Sequence, residues 1–423
     1  MESRGYIDED FSDYSDHLAT SVFVEPSAGV SFKKAVDHIC GESSIGTWTD
    51  VDTAVGMDAQ GLKPHAFDLD ENAGTFKIAY PLDLFEPDNI PQVLSSVAGN
   101  IYGMKAIENL RVIDIHMPKA MIKSLPGPEF GIDGVRGVLG VTDRPLVGTI
   151  VKPKVGLPYK EHARIAYESW AGGCDIVKDD ENLTSQPFNP FKERVVETLA
   201  ARDRAESETG EKKVYMANIT AETDTMLERL DFIAENSGRY CMIDVITLGF
   251  SAVQTVRAHN RSLVLHAHRA MHGALTRNKK MGITMLALAK LYRAMGCDQL
   301  HIGTAVGKME GGPEEVVAIR DSIVKDEIEG QGTILNQSWH GMKPVFPVCS
   351  GGMHPGLIDD LMGIMGQDII IQLGGGIHGH PRGTTPGAMA TRQAVDAVLA
   401  GKTLPEYGND HKELAEALDT WGD

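Results

Sequence analysis

The sequence predicts an α/β protein, with a C-terminal (β/α)8 barrel of the TIM type preceded by a smaller N-terminal α+β domain of ferredoxin-like order. Three observations predict it. From about residue 145 onward, eight short β-rich apolar runs recur, each ending in polar or glycine-rich residues and each followed by a helix-like stretch. No G-x-G-x-x-G follows the first run, which counts against an open doubly wound sheet. Most runs end in conspicuous polar residues, and the carboxyl ends of barrel strands are where such a fold carries its chemistry.

The eight runs are 146–151 (LVGTIV), 174–177 (CDIV), 214–219 (VYMANI), 240–246 (YCMIDVI), 263–267 (LVLHA), 299–302 (QLHI), 345–349 (VFPVC) and 369–373 (IIIQL). Ahead of them, residues 1–118 read as strand (LATSVFVEP), helix (SFKKAVDHIC), two strands including TFKIAYP, helix (PQVLSSVAGNIYGMKAI) and strand (LRVIDIHMP). That order is a split β-α-β arrangement. Residues 119–144, with SLPGPEFG and TDR, read as a linker, and 145–423 as the barrel with C-terminal helices (AMATRQAVDAVLAG, HKELAEALDTW). There is no internal repeat and no low-complexity segment.

A chain of 423 residues, 42% of them apolar, buries a large core. Its formal charge is 40 − 59 = −19, which argues against a nucleic-acid footprint or a polybasic membrane contact. An anionic substrate would have to be met by local lysine, arginine or metal charge. The five cysteines form no C-x-x-C pair, so neither a disulfide framework nor a zinc site is indicated. Four of them lie in or beside apolar runs and read as small buried hydrophobes. No basic-then-apolar leader opens the sequence, and no run approaches the roughly 18 apolar residues of a membrane span, so a cytoplasmic location is expected.

The strand ends supply the chemistry. Lys152-Pro153-Lys154 follows the first run, and Lys178-Asp179-Asp180-Glu181 the second. Asp180 and Glu181 are hard oxygen ligands that suit Mg²⁺. A lysine beside them is odd, because an ammonium repels a dication; a neutral amine, however, adds CO₂ to become an anionic carbamate. Taken alone, the motif is a weak signal and more often a solvated charge cluster at a strand end; its place on the barrel face reverses that preference in favour of the metal. The glycine turns Ser350-Gly351-Gly352 and Gly374-Gly375-Gly376 follow the seventh and eighth runs, the barrel's usual phosphate site, although glycine also serves plain tight turns. Arg269 could hold a second phosphate or make a surface salt bridge. His266, His268, His272 and His301 lie in or near strand ends, where one histidine is commonly a core residue and four suggest proton transfer. Lys308 stands in the glycine-bearing loop GTAVGKMEGG, which suits a lid.

The motifs GTIVKPKVGL, GGCDIVKDDEN, HAHRAMHGALTRN, HIGTAVGKMEG, PVCSGGMHPG and IQLGGGIHGHP, with ESSIGTWT and AGNIYGMKA before them, resemble the ribulose-1,5-bisphosphate carboxylase/oxygenase (RuBisCO) large-subunit family in order over nearly the whole chain. MGITMLALAK, TAVGKM and a short stretch before the seventh run resemble its archaeal, form III branch. The resemblance implies that Lys178 is carbamylated and, with Asp180 and Glu181, ligates Mg²⁺. It implies that Lys152 transfers protons near the substrate's C2 oxygen, that Lys154 orients the substrate, and that His268 assists enolisation or hydration. Arg269 and His301 would hold one phosphate; Gly352, Gly374 and Gly375, with Thr47 and Trp48, the other. Ser350 would touch sugar hydroxyls, and Lys308 would close over the substrate. Glu42, Thr47, Trp48 and Asn100 would complete a partner subunit's site, making a homodimer the minimum unit, with no small subunit implied.

The implied reaction is enolisation of ribulose 1,5-bisphosphate, addition of CO₂ and cleavage to two 3-phosphoglycerates, with O₂ competing. The form III branch implies nucleotide salvage. Departures from plant-type sequences stand at Asn218-Ile219-Thr220-Ala221-Glu222, at Gly273 and at His378. The rival expectation is a carboxylase-like enolase or isomerase of the same fold. Such relatives typically lose the lid lysine, and Lys308, Lys152, Arg269 and Glu42 are all present here.

Overall fold

In the computed structural model of the protein, the described residues are 5–46, 60–260, 262–307 and 312–422. The strands are, in chain order, β1 (Leu18–Pro26), β2 (His65–Asp70), β3 (Thr75–Tyr80), β4 (Ile107–His116), β5 (Leu146–Ile150), β6 (Ile176–Lys178), β7 (Val214–Asn218), β8 (Tyr240–Asp244), β9 (Val264–His268), β10 (Gly282–Ile283), β11 (Gln299–His301), β12 (Glu327–Ile328), β13 (Gln337–Ser338), β14 (Phe346–Ser350) and β15 (Ile370–Leu373). The chain divides into two compact units. One comprises Met1–Gly127, Met271–Met295 and Lys325–Met342; the other Pro128–Ala270, Gly296–Val324 and Lys343–Asp423.

The first unit is built on a five-stranded sheet of order β10-β4-β1-β3-β2. Strand β1 runs antiparallel to both β3 and β4, so the first four strands have the ferredoxin-like order expected. Strands β1 and β4 are buried along most of their length, and the helix Phe32–Glu42 packs on β1 through its buried Phe32, Val36 and Ile39. The second helix, which begins at Ile90, was expected to run on to Ile107. It stops at Val97, and the chain turns back on it at Gly99, where a Cβ would stand 2.0 Å from the Ser95 carbonyl oxygen, an approach only glycine allows.

Strand β10, far along the chain, pairs parallel with β4. It is held there by Lys290, whose ammonium lies 2.7 Å from Asp114 with both side chains wholly buried, and by Arg111, which donates to the Thr276 carbonyl at 2.8 Å. The MGITMLALAK stretch therefore belongs to this unit. The helix Met285–Met295 is buried on every side, which explains its lack of a polar face.

In the second unit eight strands close a parallel barrel in the order β11-β14-β15-β5-β6-β7-β8-β9. Closure is made by β15 on β5, where Ile370 pairs with Leu146. Each of the eight expected runs is a barrel strand. All five cysteines are buried and free.

The stretch 119–144, read from its prolines and glycines as a linker, carries the helices Lys119–Ser124 and Gly131–Leu139, and the boundary between the compact units falls between them. The second helix has a job in the barrel. Its Ile132, Val135 and Leu139, spaced to share one face, pack with Leu146, Ile176, Val214, Tyr240, Val264, Phe346 and Ile370 in a single core cluster. Those seven residues all lie at or near the amino ends of their strands, so the helix closes the barrel floor and leaves the chemistry to the carboxyl ends. Gly140, at φ 68°, then ends the helix in the left-handed region. Leu139→Ala should lower the unfolding free energy by about 2–5 kcal/mol. A urea midpoint equal to that of the parent protein would contradict the floor assignment.

Candidate active site

Lys178 is the last residue of β6 and is 1% exposed. Its amine donates to the Asp179 carbonyl at 2.8 Å and lies 3.5 Å from the Met242 sulfur. Burial pushes its pKa down from the ordinary lysine value, against the opposing pull of Glu181, Asp180 and Asp244. The amine thus sits among neutral contacts, with carboxylates nearby.

Those carboxylates have partners of their own. Lys152, two residues beyond β5, donates to Asp180 Oδ2 at 2.7 Å, and Asn182 donates to Oδ1 from its backbone at 3.2 Å and its amide at 3.0 Å. Burial raises the Asp180 pKa, but the Lys152 and Asn182 bonds outweigh it and bring it down to about 2. Glu181 has Lys154 Nζ at 3.9 Å and His268 Nε2 at 3.8 Å. His268 Nδ1 lies 2.8 Å from Asp244 at the end of β8.

Asp179 turns away from this group. It accepts from Arg194 Nε at 3.1 Å, from the Tyr215 hydroxyl at 2.6 Å and from the Asn218 backbone at 2.9 Å, while His162 Nε2 approaches to 3.1 Å. Arg194 also donates to the carbonyls of Asn189 and Thr184, and Asn218 Nδ2 donates to the Glu181 carbonyl at 3.1 Å. The turn that presents Asp180 and Glu181 is therefore fixed from behind. Asp179, Arg194 and Asp244 were not singled out from the sequence. For Asp244 a sign existed, an acidic residue inside the apolar run YCMIDVI.

Of the four histidines considered, two face the mouth. The rings of His268 and His301 meet edge-on at 4.7 Å. His266 is wholly buried in the barrel wall, with Nε2 2.9 Å from His301 Nε2 and Nδ1 2.8 Å from Gln299. Burial depresses both buried rings, His266 to about 3 and His301 well below the ordinary value, assisted by Lys178 and neighbouring cationic groups. His272 belongs to the other compact unit, where its Nδ1 lies 3.0 Å from the Thr276 hydroxyl.

Burial lowers Arg269 to about 10, which still leaves it cationic at neutral pH. Its Nη2 stands 2.9 Å from where a Cβ on Gly303 would be, so glycine there lets the guanidinium lie against the backbone. At the next strand ends, Ser350 closes β14, and Gly351 and Gly352 follow with φ of 118° and 63°. Gly374 follows β15, and a Cβ on it would come within 3.0 Å of Lys152 Cε. Gly375 opens a short helix, and a Cβ on Gly376 would stand 2.3 Å from the Met353 carbonyl oxygen, so the two glycine turns pack backbone to backbone.

The barrel thus brings together Lys152, Lys154, Lys178, Asp180, Glu181, His268 and His301 at its mouth, with Arg269 and the glycine turns on the same strand ends. Glu42 and Asn100 lie in the other unit, where the Asn100 amide meets Glu42 Oε1 at 3.4 Å. Thr47, Trp48 and Lys308 lie outside the described residues. Among the described residues no three His, Cys, Asp or Glu side chains are grouped as a ready metal site.

Fold and strand-end chemistry define a (β/α)8-barrel enzyme with a ferredoxin-like companion unit. Two family models cover nearly all of the chain: ribulose bisphosphate carboxylase large chain, N-terminal domain, over residues 5–121, and the catalytic domain of the same chain over 131–421. The chain belongs to the ribulose bisphosphate carboxylase large-chain family. It is 51% identical over 423 residues to the ribulose bisphosphate carboxylase of Methanosarcina acetivorans, covering 99% of each chain. Over 402 residues it is 52% identical to that of Methanocaldococcus jannaschii, covering 93% of this chain and 95% of the relative. Among solved structures, a dimeric archaeal Rubisco from Hyperthermus butylicus superposes with a TM-score of 0.93 at 43% identity, covering 99% of this chain and 98% of that one. An octameric Rubisco from Pyrococcus horikoshii, solved as a complex with sulfate ion, gives 0.91 at 44% identity, covering 99% and 96%.

The buried histidines set an acid limit on stability. Their folded pKa values lie below the ordinary 6.5, so the unfolded chain binds more protons than the folded one below that pH. The contribution is fully present above about pH 6.5 and is lost progressively as pH falls toward the folded value. Between pH 7 and 5 the His266 ring should cost about 2 kcal/mol of unfolding free energy. Denaturant titrations in EDTA should show His266→Gln with a shallower decline than the parent protein; equal slopes would rule this out.

Proposed function

We propose that the protein is a ribulose-1,5-bisphosphate carboxylase/oxygenase that depends on Mg²⁺ and on a carbamate at Lys178. The observation that carries this reading is the buried, depressed Lys178 amine beside Asp180 and Glu181. A neutral amine is the form that adds CO₂. Two carboxylates alone are a sparse set for Mg²⁺, and a carbamate on Lys178 would provide a third oxygen donor at the strand end. The residues present fit the group. When bound, Mg²⁺ held by Asp180, Glu181 and carbamylated Lys178 supplies Lewis-acid stabilisation of negative charge on the substrate's oxygens.

The chain's own side chains account for the rest. Arg269 and His301 bind one phosphate of ribulose 1,5-bisphosphate, and the Gly352, Gly374 and Gly375 backbone receives the other, assisted by Thr47 and Trp48. Ser350 bonds the sugar hydroxyls. Lys152, which donates to Asp180 at 2.7 Å, holds or moves a proton at the C2 oxygen, and Lys154 orients that oxygen. His268, steadied by Asp244, serves proton transfer in enolisation or hydration of the adduct. CO₂ joins C2, water cleaves the six-carbon product to two 3-phosphoglycerates, and O₂ competes at the same carbon. Lys308 closes over the substrate and excludes water.

Glu42, Thr47, Trp48 and Asn100 complete the site of a partner copy, so the working unit is a homodimer or an assembly of dimers, without a small subunit. The protein acts in the cytoplasm, in nucleotide salvage. Retention of Lys152, Arg269, Glu42 and Lys308 favours this reading over an enolase or isomerase of related phosphorylated sugars.

Preincubation with CO₂ and Mg²⁺ should raise the initial rate of ¹⁴CO₂ fixation with ribulose 1,5-bisphosphate, and Lys178→Ala should abolish both activation and turnover. Proton exchange at C3 without any fixation by the parent protein would instead support the enolase reading. For the shared site, Glu42→Gln and Lys178→Ala, each inactive alone, should regain activity when mixed under subunit exchange, approaching half per mixed dimer. No recovery, with exchange confirmed by native mass, would place each site within one chain.

A further inference from the structure

His378, three residues after Gly375, stands where the last barrel strand returns beside the first. Its Nε2 lies 3.0 Å from the Ile150 carbonyl oxygen and 3.0 Å from the Thr149 hydroxyl, and its Nδ1 lies 3.1 Å from the Thr384 hydroxyl. The proton positions follow from the partners. A carbonyl only accepts, so Nε2 carries hydrogen; the Thr149 hydroxyl already donates to the Leu373 carbonyl at 2.6 Å and is free to accept. Nδ1 is then bare and accepts from Thr384. Burial holds the ring's pKa down to about 4, with Lys152 adding to the depression, which agrees with a neutral ring.

These bonds join the two strand ends that matter. Ile150 is the last residue of β5, and Lys152 follows it by two residues. The His378 backbone N–H returns to the Gly374 carbonyl at 3.2 Å, and Gly374 is the residue whose missing Cβ makes room for Lys152 Cε. One side chain thus fixes the end of β5 to the turn over which the Lys152 chain passes. Nothing else among the described residues makes side-chain bonds to both the Ile150 carbonyl and the hydroxyl of Thr384.

We propose that His378 is a positioning residue that sets the Lys152 amine against the substrate by locking the end of β5 to the glycine turn after β15. The inference rests on the reading of Lys152 as the proton-transfer residue. His378 touches no reacting atom, so its loss should appear in the rate of proton transfer and much less in substrate affinity. A displacement of the order of 1 Å in a catalytic group costs roughly a hundredfold in rate.

The test compares His378→Leu, which fills similar space without polar atoms, with His378→Gln, which keeps a donor where Nε2 stands. Tritium release from C3 of ribulose 1,5-bisphosphate and ¹⁴CO₂ fixation are measured on the Mg²⁺- and CO₂-activated enzyme. His378→Leu should lose tenfold or more in kcat for both, with KM for the bisphosphate changed less than threefold, and His378→Gln should recover most of the loss. If His378→Leu does not fold, Thr384→Val, which removes only the hydroxyl on Nδ1, should show a smaller loss in kcat of the same kind. Parent-like C3 exchange in His378→Leu, or in Thr384→Val where that variant stands in, would overturn the proposal, as would equal losses in the Leu and Gln variants. Absence of C3 exchange in the parent enzyme would instead overturn the functional reading beneath it.

Discussion

The site depends on how charge is shared around one buried amine. Lys178 lies at a strand end with almost no exposure, near three carboxylates, yet each of those carboxylates is engaged elsewhere. Asp180 is held by Lys152, Asp244 lies against His268, and Glu181 stands between Lys154 and His268. What remains to Lys178 is a backbone carbonyl and a thioether. An ammonium in such a place is costly, and proteins commonly answer that cost by lowering the pKa. The same burial that lowers the amine's pKa leaves two carboxylates beside it.

Holding that arrangement requires a rigid frame. The Asp179–Arg194 pair, 3.0 Å apart and fully buried, lies directly behind the acidic turn. Removing one member of such a pair leaves an uncompensated charge and typically costs about 3–5 kcal/mol. The pair also has a geometric role: Arg194 gathers the carbonyls of Thr184 and Asn189 while Asp179 takes the Asn218 backbone N–H, which ties down the turn carrying Asp180 and Glu181 from behind. Beyond β5 on the same rim, the glycine turns after β15 and β14 lock to each other because Gly376 permits backbone contact. The barrel floor, closed by Gly131–Leu139, supplies the apolar base under both.

Much of this was legible in the sequence because barrel strands are short, apolar and sharply terminated. The eight runs were found within one or two residues, and Lys152, Lys178, Asp180, His268 and His301 fall at the strand ends where the reading put them. What escaped has a common cause. Residues 131–139 are short, hold three glycines and are preceded by prolines, so their composition reads as loop until the barrel they cover is known. Lys290 and Asp114 meet across 176 residues, and no local pattern announces such a pair. Asp179 reads like its neighbours in a run of charges, and only the fold shows it facing Arg194. His272 stands close enough to His268 in the motif HAHRAMHG to be grouped with it, but the chain leaves the barrel unit at Met271, where φ is 72°.

If the proposed chemistry holds, the Lys178 amine takes up CO₂, and carbon-13 NMR of the protein under ¹³CO₂ and Mg²⁺ would detect it. One carbamate resonance per chain, present with Mg²⁺ at neutral to mildly alkaline pH and lost in Lys178→Ala, is then expected. The same resonance persisting in Lys178→Ala, or none forming in a parent protein that fixes CO₂, would contradict it.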